Sequence, residues 1–230
     1  MKIGVISDIH SNIYGLRSAL KEINKLSADL ILCAGDITGY YTFVNEVFEV
    51  LTEYNIKFIK GDHDNYLFRE DLSNFKPLLK NSIEYTRTKI NREFMNELKL
   101  AKDSYITEID DVKIAMYHGS PWNHLEEYIY PNYEDFQKFE TLDSQVIILG
   151  HTHYPMIKKV GKVMILNPGS CGQPRDGDRR ASLALLETQT GTVELRRVEY
   201  DVEAVCKAIV KSGLDQALIK ILQNKGETSD

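Results

Sequence analysis

Residues 1–36 read MKIGVISDIHSNIYGLRSALKEINKLSADLILCAGD, and this stretch decides the fold class. It contains two short apolar runs, Lys2–Ser7 and Leu30–Ala34, each typical of a buried strand. Between them, apolar side chains recur at steps of three and four residues, which predicts an amphipathic helix with a stripe of Ile13, Leu16, Leu20, Ile23 and Leu26. A strand, a helix and a second strand in this order predict two parallel strands joined by a right-handed crossover.

The rest of the chain continues this alternation of strands and helices. A second helix is expected around residues 43–54, a third strand at Ile56–Lys60 and a mostly helical region at Glu70–Lys102. Beyond these we expect three strands, an antiparallel hairpin and two short helices, at Val112–Tyr117, Val146–Leu149, Val163–Leu166, Arg180–Leu186 with Thr192–Tyr200, Val202–Val210 and Leu214–Leu222. Two β-rich halves that carry helices predict an α/β fold, a four-layer α/β/β/α sandwich of two mixed sheets with helices on both outer faces.

The predicted domain organisation is simple. One domain is expected over residues 1–230, with a core of about 1–200 and C-terminal helices at about 202–224. These helices either cover the body or form the contact of a homodimer. The last seven residues, NKGETSD, are expected to be a frayed tail.

The composition excludes several classes of protein. With 43% hydrophobic and 27% charged residues among 230, the chain is typical of a globular protein and not of a disordered or coiled-coil one. Lys+Arg 28 against Asp+Glu 34 give a net charge of −6, so there is no strong signal for nucleic-acid binding. No apolar run is long enough for a membrane span, and three cysteines without a CxxC pair suit a reducing compartment, so we expect a cytoplasmic protein.

Aspartate and histidine residues follow the predicted strands. The strand ends are followed by DIH at 8–10, GD at 35–36, GDHD at 61–64, HG at 118–119 and GHTH at 150–153. Five of the six histidines occupy these positions, and His124 is the exception, expected on the surface or in a loop. Because sites of open α/β sheets form at the carboxyl ends of strands, these side chains are expected to meet.

These ligand types predict a pair of metal ions. Residues i and i+2 of an extended chain project to the same side, so Asp8 with His10, and His151 with His153, are each expected to point toward one ion. Imidazole and carboxylate without thiolate favour Mn, Fe, Co, Ni or Zn over calcium. Three carboxylates and four imidazoles exceed the need of one ion but suit two ions about 3.5–4 Å apart that share an aspartate, an arrangement used for displacement at phosphorus.

In this order, the motifs D-x-H, G-D, G-[ND]-H-D, H-G and G-H-T-H resemble those of the calcineurin-like metallophosphoesterase superfamily. The later sequence Asn167–Ser170 (NPGS) resembles a motif of the prokaryotic branch of this superfamily. That branch includes phosphodiesterases and diadenosine polyphosphate hydrolases. The resemblance implies a dimetal-dependent phosphoesterase that hydrolyses small phosphodiester or nucleotide-type substrates. The reaction implied is in-line attack of a metal-bridging hydroxide, with two divalent transition metal ions as cofactors and Mn favoured.

The resemblance also implies a role for each residue of the motifs. The first metal would be held by Asp8, His10, Asp36 and His153. Asp36 would bridge to a second metal, completed by Asp62, His118 and His151. His63 would face the scissile phosphate, where it stabilises the developing charge or protonates the leaving oxygen. Asp64 would orient His63.

Asp62 departs from the family pattern, which usually has Asn at this position. An Asn amide oxygen binds metal while its NH2 donates to the phosphate, whereas a carboxylate donates nothing and adds negative charge. We therefore expect tighter binding of the second metal and weaker binding of the anionic substrate.

Several features of the sequence allow two interpretations. Arg175 lies in a charged segment that is either a solvated turn or a contact with the substrate phosphate. The aromatic residues at 121–133 either pack a loop or stack on a nucleobase, and the NPGS loop is either a plain turn or a wall beside the metals. Two other functions also stay open, a serine/threonine phosphoprotein phosphatase and a non-catalytic scaffold like the retromer subunit of this superfamily. The complete set of ligand residues and His63 argues against the scaffold.

Overall fold

The computed structural model describes residues 1–223, and the predicted tail at 224–230 lies outside the described residues. In this part of the chain the strands are β1 (Lys2–Ile6), β2 (Leu30–Cys33), β3 (Lys57–Phe58), β4 (Ser104–Ile109), β5 (Val112–Tyr117), β6 (Val146–Ile148), β7 (Pro155–Val160), β8 (Val163–Pro168), β9 (Ala181–Glu187) and β10 (Thr192–Val198). The helices are α1 (Ile13–Lys25), α2 (Val44–Glu53), α3 (Asp62–Tyr66), α4 (Pro77–Lys89), α5 (Arg92–Leu100), α6 (Val202–Ser212) and α7 (Ala217–Leu222). A 3₁₀ helix spans Phe136–Thr141.

The strands form two mixed five-stranded sheets, as the sequence predicts. The first sheet has the order β10-β9-β1-β2-β3. In it β1, β2 and β3 are parallel, β9 is antiparallel to β1, and β10 is antiparallel to β9. The second has the order β4-β5-β6-β8-β7, with parallel β5, β6 and β8 between antiparallel edge strands. The parallel strands are central in the second sheet, and in the first they run from the central β1 to β3 at the edge. The carboxyl ends of the parallel strands are where a site is expected.

Three apolar layers hold the sandwich together. Side chains such as Val5, Leu32 and Ile148 fill the space between the two sheets. On the outer face of the first sheet, α1, α2, α4 and α5 bury a large cluster, and Gly4 allows α1 to approach because a Cβ there would lie 2.8 Å from Ile23. The outer face of the second sheet is covered more thinly, by the 3₁₀ helix and its preceding loop through residues such as Phe139. The four-layer prediction is thus confirmed, with a 3₁₀ helix in the fourth layer.

The sequence does not predict four of the elements. Strands β4 and β7 lie at the edges of the second sheet, so each exposes part of its surface and lacks a continuous apolar run. The helix α3 and the 3₁₀ helix are too short for a periodic signal. The C-terminal helices α6 and α7 cover the body, packing Val205 and Leu218 with Tyr40 and Tyr41.

Candidate metal centre

The predicted ligands lie together beyond the ends of β1, β2, β3, β5 and β6, but the backbone of most of them is not extended. Positive φ angles occur at Asp8 (54°), His10 (49°), Asp36 (53°), His151 (67°) and His153 (62°). Left-handed conformations of non-glycine residues cost free energy and concentrate at functional sites. The expectation that His151 and His153 point toward one ion is therefore wrong, since their ligand atoms belong to two different clusters.

The first cluster consists of four buried side chains, Asp8, His10, Asp36 and His153, whose ligand atoms all lie within 4.8 Å of one another. The Nε2 atoms of His10 and His153 are 3.1 Å apart, and His153 Nε2 lies 3.3 Å from Asp8 Oδ1. Backbone carbonyls fix the orientation of both rings, because His10 Nδ1 donates to Thr38 O at 3.1 Å and His153 Nδ1 donates to Gln173 O at 2.5 Å.

This arrangement leaves lone pairs that need a cation. Because Nδ1 of His10 and of His153 each carries the donated proton, the two facing Nε2 atoms present lone pairs to one another. Burial lowers the pKa of both rings well below the usual range, which keeps them neutral. Both carboxylate oxygens of Asp8 are buried and accept no hydrogen bond from the described residues. A divalent ion would satisfy all of these atoms at once.

The second cluster contains Asp62, His118 and His151, again all buried. His118 Nε2 lies 3.1 Å and His151 Nδ1 3.3 Å from the same Oδ1 of Asp62, while His118 Nδ1 donates to Ala34 O at 2.7 Å. Although burial opposes it, the neighbouring His151 and His118 hold the pKa of Asp62 well below its usual range. Asp62 is therefore ready to bind a cation as a carboxylate.

Asp36 lies between the two clusters. Its Oδ2 is 3.5 Å from His10 Nε2 in the first cluster and 3.5 Å from His118 Nε2 in the second. Its Oδ1 accepts a hydrogen bond from the backbone N–H of His63 at 3.0 Å. Burial and the nearby Asp62 carboxylate raise the pKa of Asp36 well above the usual range, a repulsion that cations would relieve. The residues present fit two divalent ions that share Asp36.

His63 and Asp64 lie on α3 beside the second cluster. Burial lowers the pKa of His63 to about 4, so its ring is neutral near pH 7. Its Nδ1 is buried without a hydrogen-bond partner among the described residues and lies against Gly39, where a Cβ would approach it to 2.5 Å. A buried N–H without an acceptor is costly, so we infer that the proton of neutral His63 resides on Nε2.

Asp64 does not hydrogen-bond to His63, contrary to the orienting role that the resemblance implies. Its carboxylate accepts hydrogen bonds from the backbone N–H groups of Ile37, Thr38 and Gly61 and from the Thr38 hydroxyl, at 2.8–3.1 Å. The reason is its position on the third residue of α3, which directs the carboxylate back to the start of the helix. Asp64 therefore ties α3 to the loop after β2 that carries Asp36.

The NPGS loop hydrogen-bonds to the backbone of two segments that carry metal ligands. Ser170 Oγ donates to Asp8 O at 2.7 Å, and the N–H of Gly172 donates to the same oxygen at 3.1 Å. Asn167 Nδ2 donates to Gly150 O at 2.7 Å, which anchors the segment before His151. The loop is thus neither a plain turn nor a lining of the cavity, but a support that fixes two ligand-bearing segments.

Gly172 provides a test of this support. A Cβ at residue 172 would lie 1.9 Å from the carbonyl oxygen of Ile9, an atom of the backbone that cannot move without displacing Asp8 and His10. Overpacking of this kind costs about 1–3 kcal/mol, so Gly172→Ala is expected to lower both the melting temperature and the affinity for metal. Thermal unfolding and metal titration measure these effects, and an unchanged protein would contradict the assigned role.

A cavity of about 270 Å³ lies over the metal centre. Arg175 lines it, with its Nη2 3.2 Å from the Tyr40 hydroxyl and 3.2 Å from Gln173 Oε1. Of the aromatic residues at 121–133, Tyr128 lines the cavity and stacks on His151 with ring centroids 3.8 Å apart. Trp122 instead packs against Phe139 and under Lys138, outside the lining. His124 also lies outside the metal centre, with its Nδ1 3.3 Å from Asp103 Oδ1.

Several lining residues carry no signal in the sequence. Tyr66, Phe75, Leu78 and Leu79 reach the cavity from α3, the following loop and the start of α4. Burial, together with the nearby carboxylate of Asp62 four residues earlier on α3, raises the pKa of Tyr66. In the sequence, only the spacing of four residues on a helix indicates that these two side chains are close.

Comparison with known proteins matches residues 1–191 to the calcineurin-like phosphoesterase superfamily domain. The chain is 34% identical over 237 residues to the uncharacterized protein MJ0912 of Methanocaldococcus jannaschii, covering 94% of this chain and 95% of the relative. It is 29% identical over 171 residues to the phosphodiesterase MJ0936 of the same organism, covering 74% and 84%. A metallophosphoesterase from Sphaerobacter thermophilus superimposes with a TM-score of 0.85 at 28% identity, covering 98% and 99%.

The family match over residues 1–191 and the phosphodiesterase relative, together with the carboxylate–histidine clusters around Asp36, identify a metal-dependent hydrolase of phosphoesters. The chain belongs to the calcineurin-like phosphoesterase superfamily. Its cofactors are divalent metal ions, for which the aspartate and histidine clusters described above supply the ligands. No helix within residues 1–223 has the length and apolar character needed to cross a membrane.

Proposed function

We propose that the protein hydrolyses small phosphodiester or nucleotide-type substrates with two divalent transition metal ions, of which Mn is the first to test. The observation that supports this most is Asp36, whose Oδ2 is equally distant from His10 Nε2 and His118 Nε2 in two separate ligand clusters. Two adjacent metals are the usual means of displacement at phosphorus. The similarity to a phosphodiesterase over most of the chain supports the diester class.

Different residues of the chain have different roles in this reaction. When bound, two divalent ions would lower the pKa of a coordinated water and would polarise the phosphoryl oxygens of the substrate. The buried side chains of Asp36, Asp62 and the imidazoles of the two clusters would hold these ions beside the cavity. His63 lines the cavity and presents Nε2–H to a phosphate oxygen, since its Nδ1 is buried against Gly39. Arg175 neutralises the charge of the bound phosphate.

His63→Ala tests the donor role of this ring. Loss of one donor aimed at the developing charge is expected to lower kcat for bis-p-nitrophenyl phosphate by about 10²–10³-fold. Metal content measured by mass spectrometry is expected to stay at the level of the unmodified protein, because His63 is not a metal ligand in this account. Unchanged kcat, or loss of metal together with activity, would show that His63 does something else.

Asp62→Asn tests the departure from the family pattern. The amide removes one negative charge and adds a donor toward the phosphate, so KM is expected to fall by about tenfold, the effect of one hydrogen bond to a charged group. The affinity for the second Mn ion is expected to fall as well, because an amide is a weaker ligand than a carboxylate. Kinetics and calorimetric metal titration give both quantities. If substrate affinity falls or stays the same, the interpretation of Asp62 is wrong.

Substrate screening separates the proposal from its alternative, a serine/threonine phosphoprotein phosphatase. The Mn-loaded protein would be assayed against nucleotides, dinucleotides, cyclic nucleotides and phosphopeptides. We expect turnover of the nucleotide-type esters and little turnover of phosphopeptides, because the cavity is near the lower size limit of small-molecule sites. Preferential hydrolysis of phosphopeptides would favour the alternative.

We also propose a cytoplasmic location for the protein. Cys33, Cys171 and Cys206 are all free thiols in the structure, and Cys33 and Cys171 are buried. Free cysteines persist in reducing compartments, which supports this location.

A further inference from the structure

The cavity over the metal centre has two chemically different parts. One part is formed by the metal-binding side chains and His63. The other is an apolar wall, defined here as Tyr66, Phe75, Leu78 and Leu79, which come from the single segment 66–79. None of these four residues is a metal ligand, and although they pack on the apolar clusters of the protein, they also line the cavity. An apolar group of a bound ligand could therefore contact them.

The wall is held in place by packing among its own residues and with the core. The rings of Phe75 and Tyr66 contact one another with centroids 4.7 Å apart, and the ring of Tyr66 lies 5.8 Å from that of His63. The Arg69 guanidinium lies over Tyr66 at 4.9 Å from the ring centroid. Phe75 packs partly on the main core, yet it keeps part of its surface toward the cavity. The aromatic surface therefore extends outward from His63, the residue that faces the phosphate in our account.

Charge in the same cavity indicates an anionic ligand. Lys76 and Arg175 both line it, and Lys76 directly follows Phe75 in the chain. The carboxylates of Asp8, Asp36 and Asp62 together with a metal-bound hydroxide would balance the charge of two divalent ions. The positive charge that attracts an anion therefore comes from Lys76 and Arg175. A small anion with one flat apolar group would match the cations, the metal centre and the wall together.

We propose that the apolar wall binds an aromatic base, so that the substrate is a nucleotide ester and not a sugar phosphate or alkyl phosphoester. This inference rests on the proposed phosphoesterase function and adds the group that the enzyme recognises. Phe75 is the central residue, since its half-buried ring is fixed by Tyr66 and reaches the cavity. Aromatic rings that stack on bases do so with little preference for the identity of the base.

A matched pair of ligands tests the proposal by affinity, with the fraction of each ligand hydrolysed during the titration measured in parallel. Adenosine 5′-monophosphate and ribose 5-phosphate share the sugar and the phosphate and differ by the base. Calorimetry with the Mn-loaded protein is expected to show about 5- to 150-fold tighter binding of the nucleotide, the contribution of one stacked base. Phe75→Ala is expected to remove most of this preference and to leave the affinity for ribose 5-phosphate unchanged.

Two further variants make the result specific. Phe75→Leu keeps an apolar side chain in the core and is expected to lower the preference in part, which covers the case that Phe75→Ala does not fold. Phe68→Ala changes an aromatic residue of the preceding turn that is 37% exposed and does not line the cavity, so the preference is expected to stay.

Equal affinity of the unmodified protein for the two ligands would overturn the proposal, and so would a preference that survives in both Phe75 variants. Hydrolysis of bis-p-nitrophenyl phosphate distinguishes this failure from failure of the proposed function. If that ester is hydrolysed while the two ligands bind equally, the base-binding wall alone is wrong. If the ester is not hydrolysed and neither ligand binds, both proposals are wrong.

Discussion

Asp36→Ala is expected to abolish phosphoesterase activity, lowering kcat by at least about 10³-fold, beyond the 10–100-fold typical of residues that only support a ligand. The reason is geometric, because the same carboxylate oxygen lies 3.5 Å from a histidine of each cluster. Removing this carboxylate would take one ligand from each ion. The two ligand clusters would then lack the side chain that lies between them. Kinetics with bis-p-nitrophenyl phosphate and metal analysis of the purified variant measure both effects.

Asp143→Ala is the matched control for this variant. Its carboxylate is 96% exposed, pairs with Lys113 on the surface and belongs to neither ligand cluster. Such a pair contributes little, so activity, metal content and melting temperature are expected to stay unchanged. If Asp36→Ala keeps both metal ions or retains turnover within tenfold, Asp36 does not join the two clusters.

Removal of the metal ions is also expected to have a large effect on activity. Thorough chelation should eliminate turnover of bis-p-nitrophenyl phosphate, and addition of Mn to the metal-free protein should restore it. The metal-free protein keeps buried carboxylates and facing imidazole lone pairs uncompensated, so its stability is also expected to be lower. Full activity after verified metal removal would contradict the mechanism.

The size of the stability effect follows from linkage. An ion present at 100 times its Kd stabilises the folded protein by about 2.7 kcal/mol. For a chain of this length, that corresponds to a rise in Tm of about 5–10 °C for each ion bound. A scan of Tm against Mn concentration measures it, and a Tm that does not respond to the metal would argue against sites of this affinity.

The central part of the fold follows from the sequence because buried parallel strands and amphipathic helices carry strong periodic signals. The run at residues 2–7, the stripe from Ile13 to Leu26 and the run at 30–34 give β1, α1 and β2 within one or two residues. The hairpin of β9 and β10 is confirmed in the same way. The edge strand β7, with exposed Lys158 and Lys159, gives no such signal because much of its surface faces solvent.

The candidate site is predictable in part for a related reason. Parallel strands bring distant segments to one edge, so the positions of aspartates and histidines at strand ends are enough to place them together. Their local geometry does not follow from the sequence, because the left-handed backbone at Asp8 and His151 depends on long-range contacts such as that from Ser170 to Asp8 O. The cavity wall around Phe75 is not predictable either, because no motif marks a residue whose role arises from loop packing.

The central claim is that two ions bind side by side in each chain, and titration of Mn into the metal-free protein tests it most directly. We expect calorimetry to give two equivalents of bound Mn per chain, and electron paramagnetic resonance of the loaded protein to show magnetic coupling between them. Asp36→Ala is expected to lose that coupling. A fully active protein that binds a single ion, or two ions without coupling, would contradict the account.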